Sequence, residues 1–434
     1  NQSLIYDREE NVDHMLNTAW LIEIARTGLV AAVLVVVAHP LAGLLNAPGA
    51  AILIQVIGLG QLFVGLSNPA AVYFQKDLQF HKQFAYIISG SVAQFAIAIG
   101  YAVFVSETAM ALVVGFIASD FVRMVASYAL DDYRPSVSFD MPSARSMISY
   151  GKWITANSIL YFLYSEGDDL LVSGFLGATA LGFYQLAYRF SNAPATEVTH
   201  VISGVAFPAY SKIQDDTKAL REGFHRTLQM TTFLSFPLAM GIFAVTPVFV
   251  DAFFIDEYKS MILTMQILAV FGLTRSAVAT FGPVFKATGR PDLIAKFSMV
   301  RVLFLGLSLP AVLWQAGQPG GLPYGLTGFE GAALVILGVQ IFPMIEIDLY
   351  FVRRIVETSY WRILRDVAYP LVASVAMAAV VVGVDGMLDI APVLEFGLLV
   401  VVGAAVYATA VLVLDRFGWG VGRNVRTMVA SIAG

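Results

Sequence analysis

Apolar blocks recur along this 434-residue chain between glycine, proline and charged residues, and each is about 20 residues long, which lets a helix cross the ~30 Å hydrocarbon layer of a membrane. Hydrophobic residues make up 58% of the sequence and charged residues only 13%, against roughly 25% charged in a soluble domain. Open sheets would leave unpaired backbone groups in lipid. We therefore predict an all-α, polytopic membrane helix bundle.

Twelve of these blocks are candidate membrane spans. Their approximate limits are residues 19–37, 50–74, 84–105, 109–130, 153–176, 181–210, 228–254, 261–285, 297–314, 331–352, 367–384 and 393–414. Basic residues support this count, because loops on the cytoplasmic side carry the excess of lysine and arginine. If both ends of this chain are cytoplasmic, twenty of its 26 basic residues lie in cytoplasmic loops and only Lys259 lies in an outer loop. The sequence thus predicts a multi-pass protein of the cell membrane.

The sequence lacks the residues that several classes of function require. The net charge is -5, and without a basic excess nucleic acid is not an expected partner. There is no cysteine, and the five histidines have no paired spacing of the kind that binds a metal. The sequence also lacks a phosphate-binding Gly-rich loop and a GxSxG nucleophile elbow. We expect no metal site, no cofactor and no enzymatic activity.

Charges inside the spans are the residues most indicative of function, since each ionised group costs roughly 2.5–3.5 kcal/mol at mid-bilayer and normally faces a partner or a wet cavity. Five arginines lie within spans: Arg26, Arg123, Arg189, Arg275 and Arg301. Arg26 and Arg123 each follow an acid by three residues, Glu23 and Asp120, so local neutralisation is as plausible as a ligand role. Arg301 lies near the inner end of its span, where a long side chain can reach the membrane surface.

Arg189 and Arg275 differ from the other three arginines. Neither has an acid three or four residues away, and each lies several turns inside its span. Arginine is not deprotonated in proteins, so burial does not neutralise these two side chains. We favour an anionic ligand in a central cavity as their partner, with ion pairing between helices as the alternative.

An acidic stretch, SEGDD, interrupts the span at 153–176 and contains Glu166, Asp168 and Asp169. A true loop here would shift every later loop to the opposite side and destroy the charge asymmetry, so we place the stretch inside the membrane. At ~1.5 Å per residue it lies about two thirds of the way across, level with Arg189 on the next span, so Glu166 is a candidate partner of Arg189. Since one arginine cannot satisfy three carboxylates, we expect coupling to H+ or Na+ at this cluster.

The stretch GDDLLVSGFLGATALGFYQLAYRFSNAPATEVTHVISGVAFPAYSKIQDD resembles the one that opens the second half of Wzx-type polysaccharide flippases. These proteins belong to the MOP exporter superfamily, which also contains the MATE transporters. Three further segments resemble the third, fourth and tenth spans of the family: LNTAWLIEIARTGLV, LSNPAAVYFQKDLQF and LTRSAVATFGPVFKATGRPDL. The resemblance implies two six-helix lobes around a central cavity, followed by two peripheral helices.

Family members usually have two spans before the position where this chain starts, so those two are expected to be missing from it. On this basis residues 1–150 form an N-terminal lobe with four spans, residues 151–352 a C-terminal lobe with six, and residues 353–434 the two peripheral spans and a tail. The resemblance further implies flipping of a polyprenyl-(pyro)phosphate-linked oligosaccharide by alternating access, for cell-surface polysaccharide or glycan assembly. Its expected partners are the lipid-linked glycan, membrane lipid and polysaccharide-assembly proteins.

Within this function, the cationic residues Arg189 and Arg275 are expected to bind the phosphate, with Arg26 and Arg123 as helpers. Glu166, Asp168 and Asp169 would repel a phosphate, so we expect them to couple transport to an ion and to hold Arg189. A MATE-like, cation-coupled multidrug antiporter is the main alternative, because an acidic cavity suits cationic drugs. An O-antigen polymerase or ligase is a weaker one, since no large outer loop is present, and a scaffold without transport would not explain the charges inside the spans.

Overall fold

The computed structural model describes residues 13–76, 79–388 and 390–416. All regular elements in these ranges are helices, which confirms the all-α class. Nine of the described helices are long and apolar enough to cross a membrane. The expected spans at 50–74, 153–176 and 181–210 are not among the nine, so the count of twelve is not confirmed. The predicted cytoplasmic ends, at 1–12 and 417–434, lie outside the described residues.

The chain divides into two units, Asn1–Leu163 and Tyr164–Gly434. The first unit contains α1 (Asp13–Leu44), α2 (Ala50–Leu66), α3 (Val72–Lys76), α4 (Phe80–Phe104), α5 (Ala109–Ala129) and the first part of α6 (Met141–Leu176). In this unit α1 packs on α2, α2 on α5, and α4 on α5. The division falls inside α6, and the lobe boundary at residue 150 stays a prediction.

The expected span at 50–74 is interrupted in the structure. Helix α2 ends at Leu66 and a 3₁₀ turn follows at Pro69–Ala71. The side chain of Asn68 accepts a hydrogen bond from the backbone N–H of Ala70, which satisfies a donor that the turn leaves open. The Asn68 cap and Pro69 at the first position favour the start of a new helical turn, so α2 does not continue as one straight helix through residue 74.

The second unit contains the rest of α6 and nine further helices. These are α7 (Ala178–Lys212), α8 (Thr217–Phe253), α9 (Ile262–Ala279), α10 (Phe281–Ala287), α11 (Pro291–Ala316), α12 (Gly328–Val339), α13 (Ile345–Ile355), α14 (Tyr360–Asp385) and α15 (Pro392–Arg416). A π-helical turn, Gln340–Met344, joins α12 to α13 and contains Pro343. Since proline lacks the N–H that a regular helix needs, the wider turn forms where the ordinary hydrogen-bond ladder is broken.

Helix α8 is the central packing element of the second unit, and it contacts α7, α9, α14 and α15. A buried polar network joins it to α14. His225 and Asp366, each 3% exposed, form an ion-pair contact, and Gln229 Nε2 donates to Asp366 Oδ1 over 2.6 Å. The second ring nitrogen of His225 lies 2.8 Å from the hydroxyl of Thr358. Each of these buried polar groups therefore has the partner that burial demands.

Candidate functional site

The predicted intramembrane acids lie on α6, which is helical throughout residues 165–169. This confirms that the acidic stretch is not a loop, and Gly167 makes no break in the helix. The hairpin turns at Gly177, whose φ of 86° is a left-handed value that glycine adopts without steric cost. Because α7 begins at the next residue, α6 and α7 lie side by side as neighbours in the second unit.

Uncharged donors on α7 hold the two aspartates. The hydroxyl of Tyr184 donates to Asp168 Oδ2 over 2.8 Å, and Gln185 Nε2 donates to Asp169 Oδ2 over 2.7 Å. Tyr184 is 0% exposed, so its hydroxyl needs such an acceptor. Sequence reasoning missed both donors, although each lies 16 residues after its aspartate, a spacing that a tight hairpin centred on Gly177 brings together.

Arg189 lies on α7 one turn beyond Gln185 and is exposed. Glu166 is exposed as well. Within the described part of the chain, no ion pair of 4.0 Å or less involves Arg189, so the expected Glu166–Arg189 pair is not formed. The sequence placed the acids of α6 level with Arg189. In the structure the two aspartates contact α7 at Tyr184 and Gln185, about one turn before Arg189. Neutral donors take the aspartates instead, and both long charged side chains stay on the surface of the unit.

Arg275 lies on α9 and contacts α7 through a neutral group. Its Nη1 donates to the hydroxyl of Tyr188 over 2.9 Å, and Tyr188 directly precedes Arg189. A guanidinium has five N–H donors, and a phenol does not compensate its charge. Arg275 thus contacts α7 at the residue before Arg189. Because neighbouring residues of a helix point to different faces, this contact does not itself bring the two predicted phosphate ligands, Arg189 and Arg275, together.

A polar cavity of about 260 Å³ opens beside Arg275 within the second unit. It is lined by residues of α9, α10, α11, the π turn and α13: Arg275, Val278, Ala279, Phe281, Gly282, Phe285, Ile294, Phe297, Ser298, Arg301, Gln340 and Asp348. Arg301 Nη2 donates to Gln340 Oε1 over 2.5 Å. Arg301 thus has a partner inside the second unit, which the sequence did not predict. The sequence signal for this polar cavity was Asp348, an acid inside the expected span at 331–352.

In the first unit, Arg26 forms an ion pair with Glu23, which favours local neutralisation over a ligand role at this position. The side chain of Arg26 is 55% exposed. Since its charge has an acid on its own helix, Arg26 is a weaker candidate for an anionic ligand than Arg189 or Arg275.

Arg123 and Asp120 line a cavity of about 170 Å³ in the same unit. They form no ion pair of 4.0 Å or less, and the buried Nε of Arg123 has no hydrogen-bond partner among the described residues. Gly90 makes room for this side chain, because a Cβ at Gly90 would lie 2.3 Å from Arg123 Nε. Local neutralisation therefore holds for Arg26 but not for Arg123.

Metal ligands are not grouped in the described ranges. No cluster of three or more His, Asp or Glu side chains there is placed to hold a metal ion. Glu166, Asp168 and Asp169 lie on one helix, but the two aspartates are already hydrogen-bonded to α7. What the acids can do chemically is to exchange a proton or attract a monovalent cation.

Comparisons with known proteins give consistent results. A family model described as "Polysaccharide biosynthesis protein" matches residues 1–263. The lipopolysaccharide biosynthesis protein WzxC of Escherichia coli K12 is 30% identical over 390 residues, which are 87% of this chain and 76% of that protein. The teichuronic acid biosynthesis protein TuaB of Bacillus subtilis 168 is 26% identical over 317 residues, 72% of this chain and 65% of that protein.

Among solved structures, the chain is similar to the lipid II flippase MurJ in an inward closed conformation. The TM-score is 0.69, with 15% sequence identity, and the match covers 96% of this chain and 88% of that one. At this identity the likeness concerns the fold. It is the multi-helix fold of a flippase, in agreement with the two-lobe transporter architecture expected from the sequence.

Proposed function

Because the chain belongs to the polysaccharide biosynthesis protein family, as a Wzx-type member of the MOP exporter superfamily, we propose that it flips a lipid-linked oligosaccharide across a membrane. The cargo is a glycan joined to a polyprenyl phosphate or pyrophosphate, moved by alternating access for cell-surface polysaccharide or glycan assembly. The two relatives are named for lipopolysaccharide biosynthesis and for teichuronic acid biosynthesis. This activity is transport and requires no bond to be made or broken.

The observation that carries the proposal is the exposure of Arg189 on α7 without a described acid as partner. The sequence predicts a membrane span at residues 181–210, and a permanent charge inside a membrane span needs a counter-charge or a wet cavity. Since α6 satisfies its aspartates with Tyr184 and Gln185, they do not neutralise Arg189. The side chain is therefore available to an anionic headgroup, and Arg275, which contacts α7 through Tyr188, is the proposed second phosphate ligand.

The acids fit a role in energy coupling better than one in substrate binding. A phosphate would be repelled by Glu166, Asp168 and Asp169. The hydrogen bonds from Tyr184 and Gln185 orient the two aspartates, and a proton or a sodium ion can still exchange at their remaining oxygens. In this scheme H+ or Na+ binding changes the charge next to Arg189 and so alters the hold on the headgroup.

A MATE-like multidrug antiporter is supported less well. It would need carboxylates free to bind an organic cation, yet the two aspartates accept hydrogen bonds from α7, and Glu166 alone is exposed. The proposal also includes an inner-membrane location with both chain ends in the cytoplasm, next to membrane lipid and polysaccharide-assembly proteins. The number of basic residues in the predicted loops supports that orientation.

Replacement of Arg189 tests the proposal. In proteoliposomes with a fluorescent polyprenyl-pyrophosphate oligosaccharide, Arg189→Ala should lower the flipping rate by about ten- to a hundredfold, since a hydrogen bond to a charged group contributes about 1.5–3 kcal/mol. Arg189→Lys should keep part of the rate because the charge remains. The control is Arg290→Ala, since Arg290 lies in the turn before α11. Equal rates for Arg189→Ala and the wild type would contradict the assignment.

A further inference from the structure

The cavity beside Arg275 has an excess of positive charge. Two guanidinium groups, Arg275 and Arg301, line it together with one carboxylate, Asp348. Asp348 is 6% exposed, so the lining contains one buried carboxylate for two guanidinium groups. Because arginine keeps its proton in proteins, the lining has a charge of at least +1. A cavity of this charge inside a membrane unit attracts an anion.

A buried hydrogen-bond donor faces the same cavity. Gln340 is 1% exposed, and its amide oxygen accepts from Arg301. That contact leaves Nε2 as a donor, and Nε2 has no hydrogen-bond partner in the part of the chain that the structure describes. Gln340 begins the π turn, and such turns are frequent at functional sites. An unmatched buried amide is unfavourable unless a ligand or water accepts its hydrogen bond.

The cavity is large enough for more than water. Its volume of about 260 Å³ is far above the ~10–15 Å³ that holds one water molecule. Most of its polar groups are donors: two guanidiniums, one amide and the hydroxyl of Ser298. A ligand with several anionic oxygens matches this set, because an arginine guanidinium can donate two parallel hydrogen bonds to a phosphate group.

We propose that this cavity binds a phosphate or pyrophosphate group through Arg275, Arg301 and Gln340. Asp348 acts as the internal counter-charge of the empty site and weakens binding enough for release. Where the phosphate belongs to a lipid-linked glycan, the inference rests on the proposed function and adds a second headgroup position beyond Arg189. Tyr188 connects this cavity to α7, because it contacts Arg275, and it directly precedes Arg189 in the sequence. A free phosphate offers the same chemistry.

Cysteine accessibility tests the site, because the chain contains no cysteine. A Ser298→Cys variant of the whole chain places one thiol in the cavity. Inorganic pyrophosphate should slow its reaction with a small anionic methanethiosulfonate in proportion to occupancy. The matched control is Ser138→Cys in an exposed loop of the first unit, whose reaction rate should not change. Equal effects of pyrophosphate on both thiols, or none on either, would overturn the proposal.

Charge variants in the Ser298→Cys background identify the ligands. Arg301→Gln and Arg275→Gln should each raise the half-protecting pyrophosphate concentration by about tenfold or more, because each removes a charge-assisted contact. Arg290→Gln, outside the cavity, should not raise it. Asp348→Asn should lower it, a gain that misfolding cannot produce. Unchanged protection in Arg301→Gln, or weaker protection in Asp348→Asn, would contradict the assignment.

Two probes separate the sources of the phosphate. Protection by farnesyl pyrophosphate at lower concentration than by inorganic pyrophosphate supports a lipid headgroup, and protection by inorganic pyrophosphate alone supports a free anion at the same site. The outcome is independent of the flipping assay. If the wild type flips glycan lipid and Arg189→Ala does not, while pyrophosphate never protects Ser298→Cys, this inference fails and the proposed function stands. If pyrophosphate protects Ser298→Cys but the protein flips no glycan lipid, the phosphate site stands and the proposed function fails.

Discussion

The carboxylates of α6 show how single residues can keep acids inside a membrane unit without ion pairs. Asp168 and Asp169 accept hydrogen bonds from Tyr184 and Gln185, and neutral donors leave the charge of a carboxylate uncompensated. Such a group responds to protons and cations more readily than one held by an arginine. At this scale the structure separates the two aspartates, for which we propose a role in coupling, from the exposed cation at Arg189.

The first residue-scale prediction concerns Tyr184→Phe, which removes one hydroxyl and keeps the ring. Loss of the hydrogen bond to Asp168 should lower the free energy of unfolding by about 0.5–1.5 kcal/mol and change the dependence of flipping on the H+ or Na+ gradient. The measurements are thermal unfolding in detergent and flipping at several pH values and sodium concentrations. Tyr324→Phe is the control, because Tyr324 is 100% exposed. An unaltered ion dependence would exclude Asp168 from coupling.

Single residues also mark the limit of sequence reasoning about the site. The positions of Arg189 and Arg275 could be predicted, because an arginine without a nearby acid is visible in the sequence alone. The contact of Arg301 with Gln340 joins residues 39 apart and depends on how α11 packs beside the π turn. The periodicity of α11 and of the π turn does not indicate that contact. The cavity beside Arg275 therefore could not be predicted from the sequence.

Between elements, close helix packing in the first unit depends on small residues. Gly65 of α2 faces α1, where a Cβ would lie 2.0 Å from Thr27 Oγ1 and 3.3 Å from the backbone oxygen of Glu23. Small residues let helix backbones approach each other in membranes, where packing rather than water drives association. The α1–α2 contact therefore has little room for a larger side chain.

The element-scale prediction is that Gly65→Ala destabilises the protein by about 1–3 kcal/mol, because the added methyl group overpacks the α1–α2 contact. Gly28→Ala on α1 is the matched control, since nothing lies within 4 Å of a Cβ there. Removing a helical glycine at that open position should stabilise by about 0.5–1 kcal/mol. Thermal unfolding in detergent measures both. Equal shifts for the two variants would show that the contact is not tightly packed.

The helices themselves follow from the sequence more directly than their interruptions. Blocks of apolar residues must be helical in lipid, and each expected span falls on one or more described helices. The break between α9 and α10 at Thr280 falls inside the expected span at 261–285. Pro283, the third residue of α10, lacks the N–H that would bond to the carbonyl of Ala279, so a sequence signal for this break was present. The π turn had a partial signal in Pro343, because proline removes a backbone donor.

For the whole molecule, the family and the fold together make this chain a multi-pass membrane protein of flippase type. The apolar blocks and the excess of basic residues on one set of loops predicted the multi-pass membrane class. The flippase type was predicted from the resemblance of several segments to a known family. The arrangement of lobes remains a prediction from resemblance. Orientation and cargo are the properties of the whole molecule that experiment must now establish.

Orientation can be measured with single cysteines in the cysteine-free chain. A cysteine at Ser138 should react with an impermeant reagent from the cytoplasmic side only, and one at Ser260 from the outer side only, because the predicted loops alternate in charge. Both positions are exposed, so access is governed by the membrane. Labelling of both from the same side would contradict the twelve-span topology.

Direct transport by the wild-type chain tests the central claim. The protein is reconstituted into vesicles with a fluorescent polyprenyl-pyrophosphate oligosaccharide in the inner leaflet, and its appearance outside is followed by enzymatic trimming of the glycan. The same vesicles are tested for uptake of a cationic dye under a proton or sodium gradient. We predict faster glycan translocation than in protein-free vesicles and no dye uptake. Dye uptake with no gain in glycan translocation would contradict a flippase and support a cation antiporter.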